Sequence, residues 1–143
     1  LDLMLKWQKK APREAISLYE LCIVEKSWWD TVDLIASNLI GTHFRRYPDD
    51  KNRLVGEWRK KPNMWLVRTT IIFQLKYKDE TDTELLSSLI QQHAEWKEFF
   101  IEKAIGWSLR QYGKFEPEWV KAFVKNNALA PLSQREAMKH LGG

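Results

Sequence analysis

Lys26-Ser27-Trp28-Trp29-Asp30-Thr31-Val32-Asp33 is the stretch on which the reading of the whole chain turns. Ser27 followed three residues later by Asp30 is an N-terminal capping signature, because the hydroxyl and the carboxylate can each satisfy a backbone N–H that the first helical turn leaves unpaired. The spacing predicts a helix from Ser27 to Ile40, with Gly41 as its stop. Trp28, Val32, Ile35 and Leu39 recur at helical spacing and make its buried stripe. Trp29 and Asp33, four apart, share a neighbouring face that holds an indole one turn before a carboxylate. Packing asks for no such pair; the plain alternative is an amphipathic edge residue beside a solvated charge.

The same signals organise the flanks. Leu1 to Lys9 reads as part of a helix, and Pro12 suits the first turn of the next, which carries Ile16, Leu18, Tyr19, Leu21 and Cys22. Pro48 opens a helix through Leu54, Val55 and Trp58, which Arg59-Lys60-Lys61-Pro62 ends. Asn63 is an N-cap for Met64 to Tyr77. Thr81 or Asp82 starts a helix holding Leu85, Leu86, Leu89 and Ile90. Another is expected from about Trp96 to Tyr112, stopped by Gly113, a further one from Pro117, and a last one capped by Ser133 with Glu136. The β-branched run Thr69-Thr70-Ile71-Ile72 is the one rival for a strand, and it lies inside a longer pattern of helical period. The fold class is therefore all-α.

At 143 residues with 44% hydrophobic and 29% charged positions, the chain has the makings of a single soluble domain with its own core. Eight Trp exceed ordinary usage, and several of these rings are expected at a groove or surface. A net charge of +4 suits a polyanionic partner. Cys22 stands alone, which excludes an intrachain disulfide and makes a cytoplasmic setting the simpler expectation. No apolar run approaches a membrane span in length. His43, His93 and His140 are too dispersed for a local metal motif and are expected at the surface or at helix caps. Neither a phosphate-cradling glycine loop nor a serine nucleophile motif is present, so no metal or cofactor is expected.

Helix openings at Trp28, Met64 and Phe99 recur in steps of 36 and 35 residues. Helical hairpins of that size stack into a curved α-solenoid of the HEAT kind, with one row of helices lining a concave face. On the third opening, Lys103, Trp107, Arg110 and Lys114 follow at i, i+4, i+7 and i+11, three cations and an indole on one stripe. The second supplies Trp65, Arg68, Ile72 and Lys76, with Lys78 just beyond. Singly these are solvated charges; aligned across repeats they read as a phosphate track.

Ser27-Trp28-Trp29-Asp30-Thr31-Val32-Asp33, Trp65-Leu66-Val67-Arg68-Thr69, Phe73-Gln74-Leu75-Lys76-Tyr77-Lys78, Phe99-Phe100-Ile101-Glu102-Lys103-Ala104-Ile105-Gly106-Trp107 and Leu132-Ser133-Gln134-Arg135-Glu136-Ala137 together resemble the AlkD-type DNA alkylation repair family. The resemblance covers nearly the whole chain. It implies a HEAT-like repeat fold and a glycosylase that removes N3- or N7-alkylated purines from double-stranded DNA. The functional positions it implies are Trp29, Asp33, Arg68 and Trp107. Members of that family carry roughly two further helical repeats before the point matching Leu1, so the chain is expected to be the C-terminal part of a longer solenoid.

An alkylated purine is cationic and already a good leaving group, so the barrier left is the positive charge that grows on the sugar. A fixed carboxylate, Asp33, would stabilise that charge and orient water. Trp29 and Trp107 would attract the cationic nucleotide through their ring faces, at about 0.5 to 2 kcal/mol each. Arg68 is expected to clamp a backbone phosphate, with Lys76, Lys78, Lys103, Arg110 and Lys114 holding its neighbours. Lys103 could in principle form a Schiff base, although nothing in the sequence desolvates it. The chain would act as a monomer, with no obligate protein partner and no membrane. The alternatives are a DNA-binding repeat protein without catalysis and a protein-binding helical adaptor.

Overall fold

Tyr19 and Ile23 lie one turn apart on a helix, α1 (Ala15–Lys26), and are almost wholly buried, whereas Leu18 and Leu21 of the same helix are 43% and 53% exposed. The apolar residues that this helix carries are thus buried on one face only. The computed structural model describes residues 13–26, 33–139 and 141. The expected helix at Leu1 to Lys9, the Ser27/Asp30 cap, Trp28, Trp29 and His140 lie outside the described residues. Every element among the described residues is helical, with no strand.

The chain divides into two compact units, Leu1–Lys76 and Tyr77–Gly143. In the first, a π-helical segment (Ile35–Ile40) runs directly into α2 (Gly41–Arg46), followed by α3 (Pro48–Trp58) and α4 (Met64–Ile72). Gly41 therefore does not stop the helix. A stop of that kind needs a left-handed residue, and Gly41 has φ −56° and ψ −44°, with its N–H directed to the carbonyls of Ala36 and Asn38. The wider π turn absorbs the register change and carries the helix through.

Pro48 and Asn63 act as expected. Pro48 begins α3, whose last residue is Trp58, and the Asn63 side chain accepts from the N–H groups of Trp65 and Leu66. Phe44, Trp58, Ile71 and Phe73 fill the core of this unit, with Phe44 edge-on to Phe73 at 5.1 Å between ring centres. Trp58 is fully buried rather than lining a groove, and its indole N–H donates to Glu20 Oε1 at 2.6 Å. The Thr69 and Thr70 hydroxyls donate to the carbonyls of Trp65 and Val67, so the β-branched run is accommodated inside α4.

The second unit holds a short 3-10 turn (Lys78–Glu80), α5 (Thr83–His93), α6 (Phe99–Gly113), α7 (Pro117–Asn126) and α8 (Pro131–Met138). Asp82 caps α5 by accepting from the Leu85 N–H. The longest helix among the described residues, α6, starts at Phe99 rather than near Trp96, and Gly113 does not stop it but is its last residue, with Lys114 in right-handed conformation as the C-cap. Leu86, Leu89, Ile90, Ile101, Ile105, Leu109 and Val120 form the core. Ser133 is not the cap of α8, because Pro131 begins that helix two residues earlier and the Ser133 hydroxyl instead donates to the Glu102 carbonyl at 2.7 Å.

That bond accompanies a close helix contact. A Cβ on Gly106 would lie 2.6 Å from Glu136 Cβ and 3.0 Å from the Ser133 carbonyl, so only glycine lets α8 lie against α6 at this point.

Candidate functional site

Asp33 lies two residues before the π-helical segment, and its side chain turns onto α4. Arg68 Nε donates to Asp33 Oδ1 at 2.8 Å and Arg68 Nη2 to Oδ2 at 2.9 Å, a two-pronged charge-assisted pair. Asp33 is 7% exposed and Arg68 2%. The backbone around the carboxylate is fastened by side chains: Ser37 donates to the Asp33 carbonyl and Asn38 to that of Leu34. Lys76, exposed beyond the end of α4, hydrogen-bonds Asn38 Oδ1.

The structure thus joins two of the residues singled out by sequence, in a manner the sequence did not indicate. Arg68 was expected on an open face with its fork free for phosphate. That fork is instead buried on Asp33, because α4 turns Arg68 toward the interior of its unit along with the fully buried Ile72. The stripe of Trp65, Arg68, Ile72 and Lys76 is accordingly not an open face: Trp65 is half-buried and Lys76 alone is exposed.

In the second unit, Lys103, Trp107 and Arg110 share a stripe of α6 as the spacing predicted, and Lys114 caps the C-terminal end of that helix. Trp107 is half-buried and Lys114 exposed. Glu136 of α8 joins the two remaining cations, accepting from Lys103 Nζ at 2.7 Å and from Arg110 Nη1 at 3.2 Å. The Lys103 ammonium, and more weakly Lys139 and Arg110, hold the Glu136 carboxyl below its usual range against the opposing effect of burial. Two of the three cations expected to face phosphate therefore already have an anionic partner. Lys78 is exposed and has φ 57°, left-handed for a residue with a side chain.

Sequence reasoning missed one further cluster. Asp50, 3% exposed, accepts from Arg13 Nη2 at 2.8 Å and Nε at 3.1 Å, and pairs with His43 Nε2 at 2.9 Å. Arg13, and then His43, hold its carboxyl well below the ordinary carboxylate range. His43 and His93 are both buried, not at the surface as expected. Asp49-Asp50 in the sequence reads as two acidic residues of a first turn, and only the fold turns one of them inward. Among the described residues, no group of His, Cys, Asp and Glu could hold a metal ion, and no helix is long and apolar enough to cross a membrane.

The model of a family described as DNA alkylation repair enzyme matches residues 1–141. A solved structure described as a predicted DNA alkylation repair enzyme from Enterococcus faecalis is similar over 99% of this chain, with 34% sequence identity and a TM-score of 0.89. This chain spans 66% of the length of that one. No curated protein matches at a significant level.

Proposed function

Because this chain belongs to the family of DNA alkylation repair enzymes, we propose that it is a glycosylase hydrolysing the N-glycosidic bond of N3- or N7-alkylated purines in double-stranded DNA, the first step of base excision repair. The observation that carries this reading is the Asp33–Arg68 pair. A carboxylate at the position the family resemblance marks as functional is held rigidly by a two-pronged guanidinium, on a backbone itself tied down by Ser37 and Asn38.

The chemistry follows from that rigidity. As the bond to a cationic base stretches, electrons move to the base, which leaves neutral, and positive charge develops on the sugar. A fixed anion stabilises this charge without having to reorganise during the reaction. Each Asp33 oxygen keeps a lone pair beyond its bond to Arg68, enough to accept from the attacking water. Arg68 then serves chiefly to position Asp33, and its role toward phosphate is secondary. Trp29 and Trp107 supply ring faces that favour a cationic nucleotide over a neutral one.

Lys76, Lys78, Lys103, Arg110 and Lys114 hold backbone phosphates and read no sequence. Lys103, bonded as an ammonium to Glu136, is no free amine nucleophile, which fits a glycosylase without strand cleavage. In this reading the helices stack as HEAT-like repeats, and the protein works in the cytoplasm as a monomer without metal or cofactor.

A second reading, a DNA-binding module without catalysis, is favoured by one observation: both Asp33 oxygens are engaged by Arg68 and the carboxylate is nearly buried. Incubation of N-methylated duplex DNA with the protein, followed by chromatography of the released bases, separates the two. Free 3-methyladenine or 7-methylguanine supports the glycosylase. Salt-dependent binding without release supports the module.

A further inference from the structure

The C-terminal end of α6, the first turn of α7 and the end of α8 enclose a concave basin of about 350 Å³. Four cations line it, Arg110, Lys114, Lys121 and Lys139, against one carboxylate, Glu118. Their pairing is uneven. Arg110 is bonded to Glu136 and Lys121 lies 3.6 Å from Glu118, whereas Lys114 and Lys139 are exposed and have no carboxylate within ion-pair distance among the described residues.

Arg110 engages Glu136 through one of its five N–H groups, leaving other donors for a ligand. The basin also receives the N-terminal end of α7, a helix of ten residues whose dipole is positive at that end. Lysines from three separate helices converge on one hollow, although side chains of like charge repel. Glu136 and Glu118 offset part of that repulsion, and an anion in the hollow would offset more.

We propose that this basin is a phosphate site, in which Lys114 and Lys139 grip a single backbone phosphodiester of bound DNA while Arg110, braced by Glu136, supplies a fixed donor. The inference rests on the reading of this protein as DNA-binding and extends it to Lys121 and Lys139, which sequence reasoning did not include. Glu136 acts as a brace: by holding Arg110 it sets the wall of the basin without filling it. The site recognises one compact anion through donors on several helices, unlike a diffuse stripe that follows net charge alone.

The test uses the intact chain and an undamaged duplex with 5′-hydroxyl ends, with dissociation constants measured by fluorescence anisotropy from 50 to 200 mM salt. The double variant Lys114→Gln, Lys139→Gln should bind about tenfold more weakly at the low-salt end. Its slope of log affinity against log salt should be shallower by about one. The matched double variant Lys60→Gln, Lys125→Gln removes equal charge elsewhere and should leave the slope unchanged. Equal losses from both doubles would mean that only net charge matters, and the basin as a discrete site would be overturned.

A parallel arm compares 5′-phosphorylated with 5′-hydroxyl oligonucleotides. A preference for the phosphorylated end that vanishes in the Lys114/Lys139 double, with duplex affinity intact, would overturn the phosphodiester assignment in favour of a phosphomonoester. Base release is scored separately. Wild-type protein that shows the basin effect but releases no base removes the glycosylase reading and leaves the basin standing; base release without a basin effect does the reverse.

Discussion

Arg68 grips Asp33 through two hydrogen bonds of 2.8 and 2.9 Å, and both residues are more than nine-tenths buried. The residue proposed to stabilise the sugar cation is therefore also half of a buried ion pair, so its effects on stability and on chemistry must be separated.

Removing one partner leaves an uncompensated buried charge. Arg68→Ala should lower unfolding free energy by about 3 to 5 kcal/mol, whereas replacing both partners by apolar residues, Asp33→Leu with Arg68→Met, should restore most of that loss. Urea denaturation of the two variants checks this. The double variant should be folded and release no base; base release by it would show that the pair serves only the fold.

Gly106→Ala places a more favourable helix former within α6, a gain of up to about 1 kcal/mol on propensity alone. Its Cβ would lie 2.6 Å from Glu136 Cβ and must push α8 away. The net result should be a loss of about 1 to 3 kcal/mol, together with weaker DNA binding as Glu136 releases Arg110. A thermal midpoint equal to or above that of wild type would contradict the packing described.

Asp50 has a folded-state pKa depressed by Arg13 and His43. A group of this kind contributes stability that is fully present above its unfolded value of about 3.9 and is lost as pH falls through the folded value. Stability should thus decline below about pH 4 more steeply in wild type than in Asp50→Asn, which is expected to be less stable at neutral pH. Melting curves between pH 2.5 and 7, with the two profiles converging at the acid end, are the check.

Lys78 holds a left-handed φ of 57° that costs a residue with a side chain about 1 kcal/mol. Lys78→Gly should raise stability by roughly 0.5 to 1 kcal/mol. If Lys78 contacts phosphate, the same change should reduce the salt slope of DNA binding by about one. A stabilised variant with an unaltered slope would place Lys78 outside the DNA interface.

Local chemistry was legible where one residue type has one use. Asn63 and Asp82 cap the helices they precede, Pro48 and Pro117 open theirs, and α6 carries Lys103, Trp107 and Arg110 on one stripe. What escaped were pairings between helices distant in sequence. Arg68 and Asp33 are 35 positions apart and Glu136 and Lys103 are 33 apart, and helical period fixes a face without saying which partner that face meets. Glu136 was read as a cap because Ser133 precedes it at capping distance, yet the close approach at Gly106 turns both toward α6. Gly41 was misread for a related reason: the π turn before it has no signature in the pattern of apolar residues.

The most direct measurement is the single-turnover rate of 7-methylguanine or 3-methyladenine release by Asp33→Asn with saturating DNA, at a temperature where circular dichroism shows the variant folded. Asparagine keeps the shape of the side chain and loses its charge. The account predicts that release falls to background while the dissociation constant for the same DNA changes little. Release at the wild-type rate by the folded variant would contradict it.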